Sequence, residues 1–418
     1  MYKKTVLENG LRIVSEKIPY VRSVSIGVWV ATGSRNETKD NNGISHFIEH
    51  MLFKGTEKRT SKEIAASIDN IGGQINAFTG KECTCYYTKT LDEHMGISMD
   101  VLSDMLFNSK LAEKDIDVER KVILEEIGMY EDSPEELVHD ILSEAVWDGN
   151  SLGYPILGTR KSLDNINTES IGKYIDANYT PANTVISVAG NFDEDKLLEL
   201  VKKYFGGWKA RDYKSDAHAE AVFLSNEKIK EKDTEQVHLC IGYKGIKHGD
   251  EKLYSLLAIN NILGGGMSSR LFQKIREEMG LVYSIYSYPS SYKNAGLFTI
   301  YAGMNPVHLE KVVGLITGEV EKIKNNGISM EELDKSKEQL KGNFILGLES
   351  TSSRMNSIGK SELLLGKIFT PDEILKKINT INMDSVMEVT RDVFSTGSMS
   401  FSSVGNIKKE FSFNSIIS

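Results

Sequence analysis

One short stretch of the chain carries two histidines and a glutamate at spacings that suit metal chemistry. His46 and His50 are one helical turn apart, and Glu49 directly precedes the second histidine. At about 100° per residue, a helix places these three side chains on one side. Two imidazoles on one helix face can bind the same metal ion, and a nearby carboxylate can accept a proton from a water on that ion. The stretch therefore predicts a hydrolytic metal site.

The opposite side of the same helix is apolar. Its side chains are those of Ile44, Phe47, Ile48, Met51 and Leu52. This amphipathic pattern predicts that the helix packs on a core through one face and presents the polar residues on the other. A solvated polar face that happens to include two histidines is the alternative interpretation.

A zinc site usually has three protein ligands, so the two histidines need a third. A long predicted helix over residues 113–131 carries three candidate carboxylates, Glu119, Glu125 and Glu126. Helix spacing alone does not choose among them, because each can also be an exposed surface residue.

Composition argues against several other function classes. The 418 residues carry a net charge of −9, which argues against general binding of nucleic acid. The three cysteines form no disulfide framework and no Cys-x-x-Cys pair, so we interpret Cys83 and Cys85 as packing residues in a reducing compartment. The N-terminus lacks a signal-peptide core, and no apolar run is long enough for a membrane span. We expect a soluble, cytoplasmic protein without nucleic-acid or membrane partners.

The predicted elements follow the same order in both halves of the chain. The first half begins with a hairpin around Asn9-Gly10 and continues through a strand, the histidine helix and further strands and helices. The second half repeats this plan from about residue 236. At an offset of about 210 residues, His46 matches Leu256 and His50 matches Asn260, so the second copy lacks the metal-binding side chains.

This order predicts an α+β fold. We expect two homologous α/β-sandwich-like domains from an internal duplication, each a mostly antiparallel sheet flanked by helices. The polar, aperiodic stretch before Ala221 marks the boundary. We place the first domain at 1–212, a linker at 213–222 and the second domain at 223–418.

The sequence also resembles the pitrilysin/insulinase family of inverted zinc peptidases, whose signature is His-x-x-Glu-His. The two-domain members related to the mitochondrial processing peptidase are especially similar. The resemblance covers nearly the whole chain and rests on the histidine motif and several further segments. These segments are 51–56, 72–77, 119–126, 155–159, 264–272 and 276–283.

The resemblance implies a site built around one zinc ion per chain. It assigns His46, His50 and Glu126 as the ligands, the last of them by the family's spacing from the second histidine. It assigns Glu119 as a carboxylate that helps to orient the ligands. It also implies that Glu49 takes a proton from the attacking water and passes it to the leaving amine.

The resemblance further implies that the second domain contributes to the site. Arg276 and Tyr283 resemble the family's pair that binds the substrate backbone and the oxyanion, although on the residues alone a solvated arginine and a packed tyrosine are the simpler interpretation. The two domains would form a clamshell around a chamber. An extended substrate would add as a strand to the segment 74–79. The substrate-binding residues there would be Gln74, Asn76, Ala77 and Phe78.

We therefore predict a zinc metalloendopeptidase that hydrolyses peptide bonds in unfolded or extended oligopeptides within a closed chamber. One alternative is a processing peptidase for a specific class of precursor. Another is a non-catalytic scaffold subunit of a peptidase complex, since the family includes subunits that have lost their ligands. Homodimerisation is a further expectation from the family.

Overall fold

A computed structural model of the chain describes residues 2–210, 219–395, 399–407 and 413. The described residues form two units, and neither unit is continuous in sequence. Unit 1 comprises Met1–Ile127, Tyr154–His218 and Ile345–Thr370, and unit 2 comprises Gly128–Gly153, Ala219–Phe344 and Pro371–Ser418. Each unit contains one open sheet with its helices, which confirms the predicted α+β fold. The boundaries at 212 and 223 stay predictions, because residues 213–218 of the predicted linker lie outside the described residues.

Unit 1 contains a six-stranded sheet. Its strands are β1 (Tyr2–Val6), β2 (Arg12–Lys17), β3 (Ser23–Val30), β4 (Gln74–Thr79), β5 (Thr84–Leu91) and β6 (Thr184–Gly190). They lie in the order β1-β2-β6-β3-β5-β4, and all neighbours are antiparallel except β2 and β6. The predicted hairpin joins β1 to β2, and Gly10 in its turn has a φ of 89°, which favours glycine. Within the described residues, β4 pairs only with β5 and so forms an edge of the sheet.

The α-helices surround the two sheets. In the first half of the chain they are α1 (Ile44–Leu52), α2 (Ser61–Asp69), α3 (Met95–Asn108), α4 (Glu113–Asp132), α5 (Pro134–Val146), α6 (Arg160–Leu163), α7 (Thr168–Asn178) and α8 (Glu194–Phe205). In the second half they are α9 (Leu253–Leu263), α10 (Leu309–Asn326), α11 (Met330–Gly347), α12 (Thr351–Leu365), α13 (Pro371–Asn379) and α14 (Met383–Val393). No helix in the described part of the chain combines the length and apolar character that crossing a bilayer requires.

The two faces of the unit 1 sheet are covered by helices from different halves of the chain. One face packs on α1, α2, α3, α4, α7 and α8 to form the main core. The other face is covered by α12, where Ser25 Oγ lies 2.9 Å from Thr351 Oγ1 and Met355 is fully buried. A Cβ added to Gly359 would overlap the Trp29 indole nitrogen. The helix therefore lies so close to the sheet that only glycine fits at this position.

Unit 2 repeats this plan with a five-stranded sheet. Its strands are β7 (Glu227–Glu231), β8 (Val237–Lys244), β9 (Val282–Ser291), β10 (Gly296–Met304) and β11 (Met399–Gly405). Their order is β7-β11-β8-β10-β9, with β7 and β11 parallel. The connections from β8 to β11 follow those from β3 to β6, as a duplication requires. A π-helix at Phe272–Glu278 precedes β9.

One face of the unit 2 sheet is covered by α5, which belongs to the first half of the chain. Ser402 Oγ on β11 donates a hydrogen bond of 2.7 Å to the Val138 carbonyl, and Leu142 on the same helix is buried. The other face packs on α9, α10 and α14. The two halves therefore exchange one helix each, α5 for α12, which the sequence did not predict.

Candidate metal centre

Helix α1 carries the histidine motif, and its first turn is held in place by close backbone packing and hydrogen bonds. Gly43, which precedes its first turn, has a φ of 94°, and a Cβ there would lie 2.7 Å from the Leu157 carbonyl oxygen. The Glu37 carboxylate accepts hydrogen bonds from the Gly43 and Ser45 amides at 2.7 and 2.8 Å. A carboxylate at this end of a helix satisfies free amides and complements the helix dipole. The first turn of α1 is therefore tightly positioned.

The apolar face of α1 is fully buried in the unit 1 core, as the sequence predicted. The polar face brings His46 and His50 together, with ring centroids 4.6 Å apart. His46 is 7% exposed, whereas Glu49 and His50 are partly exposed. The polar face is thus a recessed site rather than an open solvated surface.

Glu126 on α4 approaches both histidines. Its Oε2 atom lies 3.7 Å from His46 Nε2 and 3.8 Å from His50 Nε2. The structure therefore separates the three candidate carboxylates that helix spacing left open. Glu126 faces the two rings, Glu119 contacts the far side of one ring, and Glu125 is exposed.

One donor atom from each of His46, His50 and Glu126 lies within 4.8 Å of the other two, close enough to bind one zinc ion after small side-chain movements. Zinc bonds near 2.0–2.1 Å in tetrahedral geometry place the donor atoms about 3.3–3.5 Å apart, which is only slightly closer than the distances to Glu126. Two imidazole nitrogens and one carboxylate oxygen are also a common set for a site that keeps one position open. Burial, and to a smaller extent the nearby His50, lowers the pKa of His46 to about 3. The imidazole is therefore neutral at neutral pH, as metal binding requires.

Glu119 contacts the His50 ring on the side away from Glu126. Its Oε2 atom lies 2.9 Å from His50 Nδ1, and its other oxygen pairs with the Lys54 ammonium. Because an ionised carboxylate only accepts hydrogen bonds, the ring donates through Nδ1 and keeps the Nε2 lone pair for a metal. Lys54 lies two residues beyond the end of α1, and the sequence did not indicate this contact with Glu119.

Glu49 lies beside the two histidines on the same helix face. Its Oε2 atom accepts a hydrogen bond from the Thr79 hydroxyl at the end of β4. Burial raises the pKa of Glu49, against the opposing effects of the Thr79 hydrogen bond and His50. A raised pKa makes the carboxylate a stronger proton acceptor than an exposed glutamate. The sequence did not indicate the contact of Thr79 with Glu49, because threonine is an ordinary strand residue.

The four predicted substrate-binding residues lie on the edge strand β4. The side chains alternate along it, with Gln74, Asn76 and Phe78 exposed and Ala77 half-buried. The Phe78 ring packs edge-on against Trp29, with centroids 5.5 Å apart. The Ala77 amide donates a hydrogen bond of 2.8 Å to the Asn76 side chain. An edge strand of this kind has backbone groups available for pairing with another chain.

Arg276 and Tyr283 lie together in unit 2. Arg276 Nε donates a hydrogen bond of 2.9 Å to the Tyr283 carbonyl, and the guanidinium lies 4.6 Å from the centre of the Phe272 ring. The arginine belongs to the π-helix, a conformation that occurs frequently at functional sites. The Tyr283 side chain is 76% exposed on the edge strand β9. Neither residue is therefore a core residue.

Comparison with known proteins identifies the family of the chain. The sequence model described as insulinase (peptidase family M16) matches residues 12–160, and the one described as peptidase M16 inactive domain matches residues 165–340. An uncharacterized zinc protease of Bacillus subtilis is 50% identical over 394 residues, which cover 94% of this chain and 96% of the relative. The chain belongs to peptidase family M16. An uncharacterized zinc protease of Streptomyces coelicolor is 41% identical to this M16 chain over 398 residues, covering 94% of it and 87% of the relative.

Solved structures show the same M16 fold across the whole chain. A protease from Helicobacter pylori superposes with a TM-score of 0.90 at 24% identity, covering 97% of this chain and 99% of its own. A peptidase M16 inactive domain from Pseudomonas fluorescens gives a TM-score of 0.91 at 16% identity, with 98% of both chains covered. The predicted family resemblance is thus confirmed. The insulinase match contains the histidine motif, Glu119 and Glu126, whereas the inactive-domain match begins after them.

Proposed function

We propose that this M16 chain is a zinc metalloendopeptidase that cleaves unfolded or extended oligopeptides and holds one zinc ion per chain. The observation that carries the proposal is the convergence of His46, His50 and Glu126 with Glu49 beside them. The zinc proteases among the relatives support the choice of metal. The complete set of four groups argues against a scaffold subunit, which would have no use for a proton acceptor beside a metal site.

In this proposal His46, His50 and Glu126 hold the ion. When bound, zinc would act as a Lewis acid that lowers the pKa of water and polarises the peptide carbonyl. Glu49 then accepts the proton of the attacking water as the new carbon–oxygen bond forms. It passes that proton to the amide nitrogen as the carbon–nitrogen bond breaks, so that the amine leaves neutral. Glu119 contributes by keeping His50 in the tautomer that leaves Nε2 free.

The edge strand β4 is the proposed substrate-binding element. An extended peptide would pair with its free backbone edge, so affinity would come mainly from main-chain hydrogen bonds. Gln74, Asn76, Ala77 and Phe78 would line alternate sides of the bound peptide. This mode requires an unfolded segment in the substrate, which supports the restriction to extended polypeptides.

Arg276 and Tyr283 are proposed to bind the substrate backbone and the oxyanion. Support comes from the resemblance, from their direct contact and from the exposure of the tyrosine. An arginine and a phenol are suitable hydrogen-bond donors to a developing negative charge. The closed chamber and the homodimer remain predictions of the resemblance.

The proposal is tested with the metal content and with an unstructured fluorogenic reporter peptide. We expect about one zinc per chain and measurable cleavage in the wild type, whereas Glu49→Gln keeps the zinc and loses cleavage by at least about 100-fold. Glu125→Gln serves as the matched control, because this exposed carboxylate lies on the same helix as Glu126. Normal turnover by Glu49→Gln would disprove the mechanism. If Tyr283→Phe had unchanged kinetics, the Tyr283 hydroxyl would have no part in the mechanism.

A further inference from the structure

The carboxylate of Glu49 is held by a residue that the proposed mechanism does not use. The Thr79 hydroxyl donates its hydrogen bond to Oε2, and in the described part of the chain Oε1 accepts none. A glutamate side chain has several rotatable bonds, so a single strong hydrogen bond decides which way its carboxylate points. The bond leaves one oxygen of Glu49 available for a reacting proton.

Thr79 itself is fixed by the turn that follows β4. Thr79 pairs with Thr84 across the hairpin, and the Gly80 amide donates to the Cys83 carbonyl at 2.8 Å to close the turn. This turn is held in place by the segment 34–37. The amides of Ser34 and Arg35 donate to the carbonyls of Gly80 and Lys81 at 3.2 and 2.8 Å.

The same segment also holds the start of the histidine helix. Glu37, at its end, is 5% exposed and accepts hydrogen bonds from the Gly43 and Ser45 amides. The hairpin that carries Thr79 and the helix that carries Glu49 are therefore both bound to one short segment. This arrangement sets the position of the hydroxyl relative to the carboxylate before any peptide arrives.

We propose that Thr79 is a positioning residue. Its hydroxyl orients the Glu49 carboxylate and fixes the position of this carboxylate relative to the edge strand β4. The inference rests on the proposed function, because it assumes that Glu49 is the proton acceptor. It adds that substrate binding and proton transfer are aligned through one residue, at the point where β4 ends. A peptide paired with β4 would then meet a carboxylate that is already oriented.

The test compares variants that differ only by the hydroxyl. We expect Thr79→Ala and Thr79→Val to lower kcat by about 10–100-fold, the usual effect of losing an outer hydrogen-bond partner at a metal site. We expect KM to change by less than about 3-fold and zinc content to stay the same, because neither the peptide edge nor the ligands are altered. Thr79→Ser should recover most of the rate. Thr90→Val, which removes a buried hydroxyl at the other end of the sheet, controls for loss of stability.

Two results would overturn the inference. One is a kcat for Thr79→Ala equal to that of Thr79→Ser, and the other is a loss that appears only in KM. Urea unfolding of each variant shows whether a low rate comes from a folded enzyme or from loss of the folded state. If Thr79→Val does not fold, the comparison of Thr79→Ala with Thr79→Ser still tests the inference. The Glu49→Gln variant distinguishes failure of this inference from failure of the proposed function. If Glu49→Gln is inactive while Thr79→Ala has normal activity, only the positioning role of Thr79 is wrong. If Glu49→Gln is active, the proposed function itself is wrong.

Discussion

The chain of contacts from His50 to Glu119 to Lys54 shows how single side chains prepare this site. Glu119 is 3% exposed, and its carboxylate contacts the His50 imidazole on one side and the Lys54 ammonium on the other. Such partners offset the cost of burying a polar group. The motif alone made His46, Glu49 and His50 predictable. It left the third ligand open, because a helix surface cannot show which of its carboxylates faces another helix. Thr79 was not predictable at all, since its role depends on where β4 ends relative to α1.

At the residue scale, Glu119→Gln should weaken zinc binding by about 10–100-fold. The amide cannot serve as a charged acceptor for His50 and as a partner for Lys54 together, so the ring loses its fixed orientation. Competition against a chelator of known affinity measures the change. Glu125→Gln on the same helix should leave the affinity unaltered. Equal affinities for Glu119→Gln and the wild type would show that Glu119 does not orient the site.

At the scale of elements, most helices and strands of the first half were predictable from their apolar periods and turn residues. Examples are α1, the hairpin at Gly10 and the strand β4. The three helices after residue 348 were not assigned. Helix α12 carries glycine, serine and threonine on the face that lies against the sheet, which conceals its apolar period, whereas α13 and α14 have an amphipathic pattern. The sheet on which α5 packs was also not predictable. Periodicity indicates that a helix has a buried face, but not which sheet covers it.

The contact of α5 with its sheet predicts a pH effect on stability. His139 on α5 lies 2.8 Å from the Tyr288 hydroxyl and 3.2 Å from the Tyr286 hydroxyl, and its ring stacks on Tyr301. Burial, aided by the nearby charge of His238, lowers the pKa of His139 from the ordinary 6.5 to about 4. The unfolded chain therefore binds a proton more readily than the folded one between these values.

The resulting contribution to the free energy of unfolding is complete above pH 6.5 and is lost as the pH falls towards 4. We expect His139→Gln to lower stability at neutral pH and to flatten the decline between these values, as measured by urea midpoints. A slope for His139→Gln as steep as that of the wild type would show that this ring does not titrate on unfolding.

At the scale of the whole molecule, the exchange of α5 and α12 makes each half dependent on the other. A fragment of residues 1–212 retains every proposed zinc ligand but lacks α12, so Trp29 and the sheet around it lose their cover. Its own α5 would also expose Val138 and Leu142, which are buried in the intact chain. Exposed apolar surface of this extent favours aggregation over a folded state.

We therefore expect the fragment 1–212 to be insoluble or to unfold without a cooperative transition, as seen by circular dichroism in urea. Co-expression with the fragment 213–418 should restore a soluble pair that binds zinc, because each fragment then supplies the missing helix. A cooperative transition of the isolated fragment at the midpoint of the full chain would contradict this interdependence.

The same exchange bears on how such a molecule arose. Before the duplication, a single copy with this connectivity would have sent the helix that follows its long helix, the equivalent of α4 and α11, away from its own sheet. That sheet could be buried only if another copy supplied the equivalent helix in return, as in domain swapping. The ancestor would then have been a swapped dimer of identical chains. Duplication of its gene and fusion of the two copies would have allowed the second copy to lose the histidines while its helix still covered the sheet of the first copy.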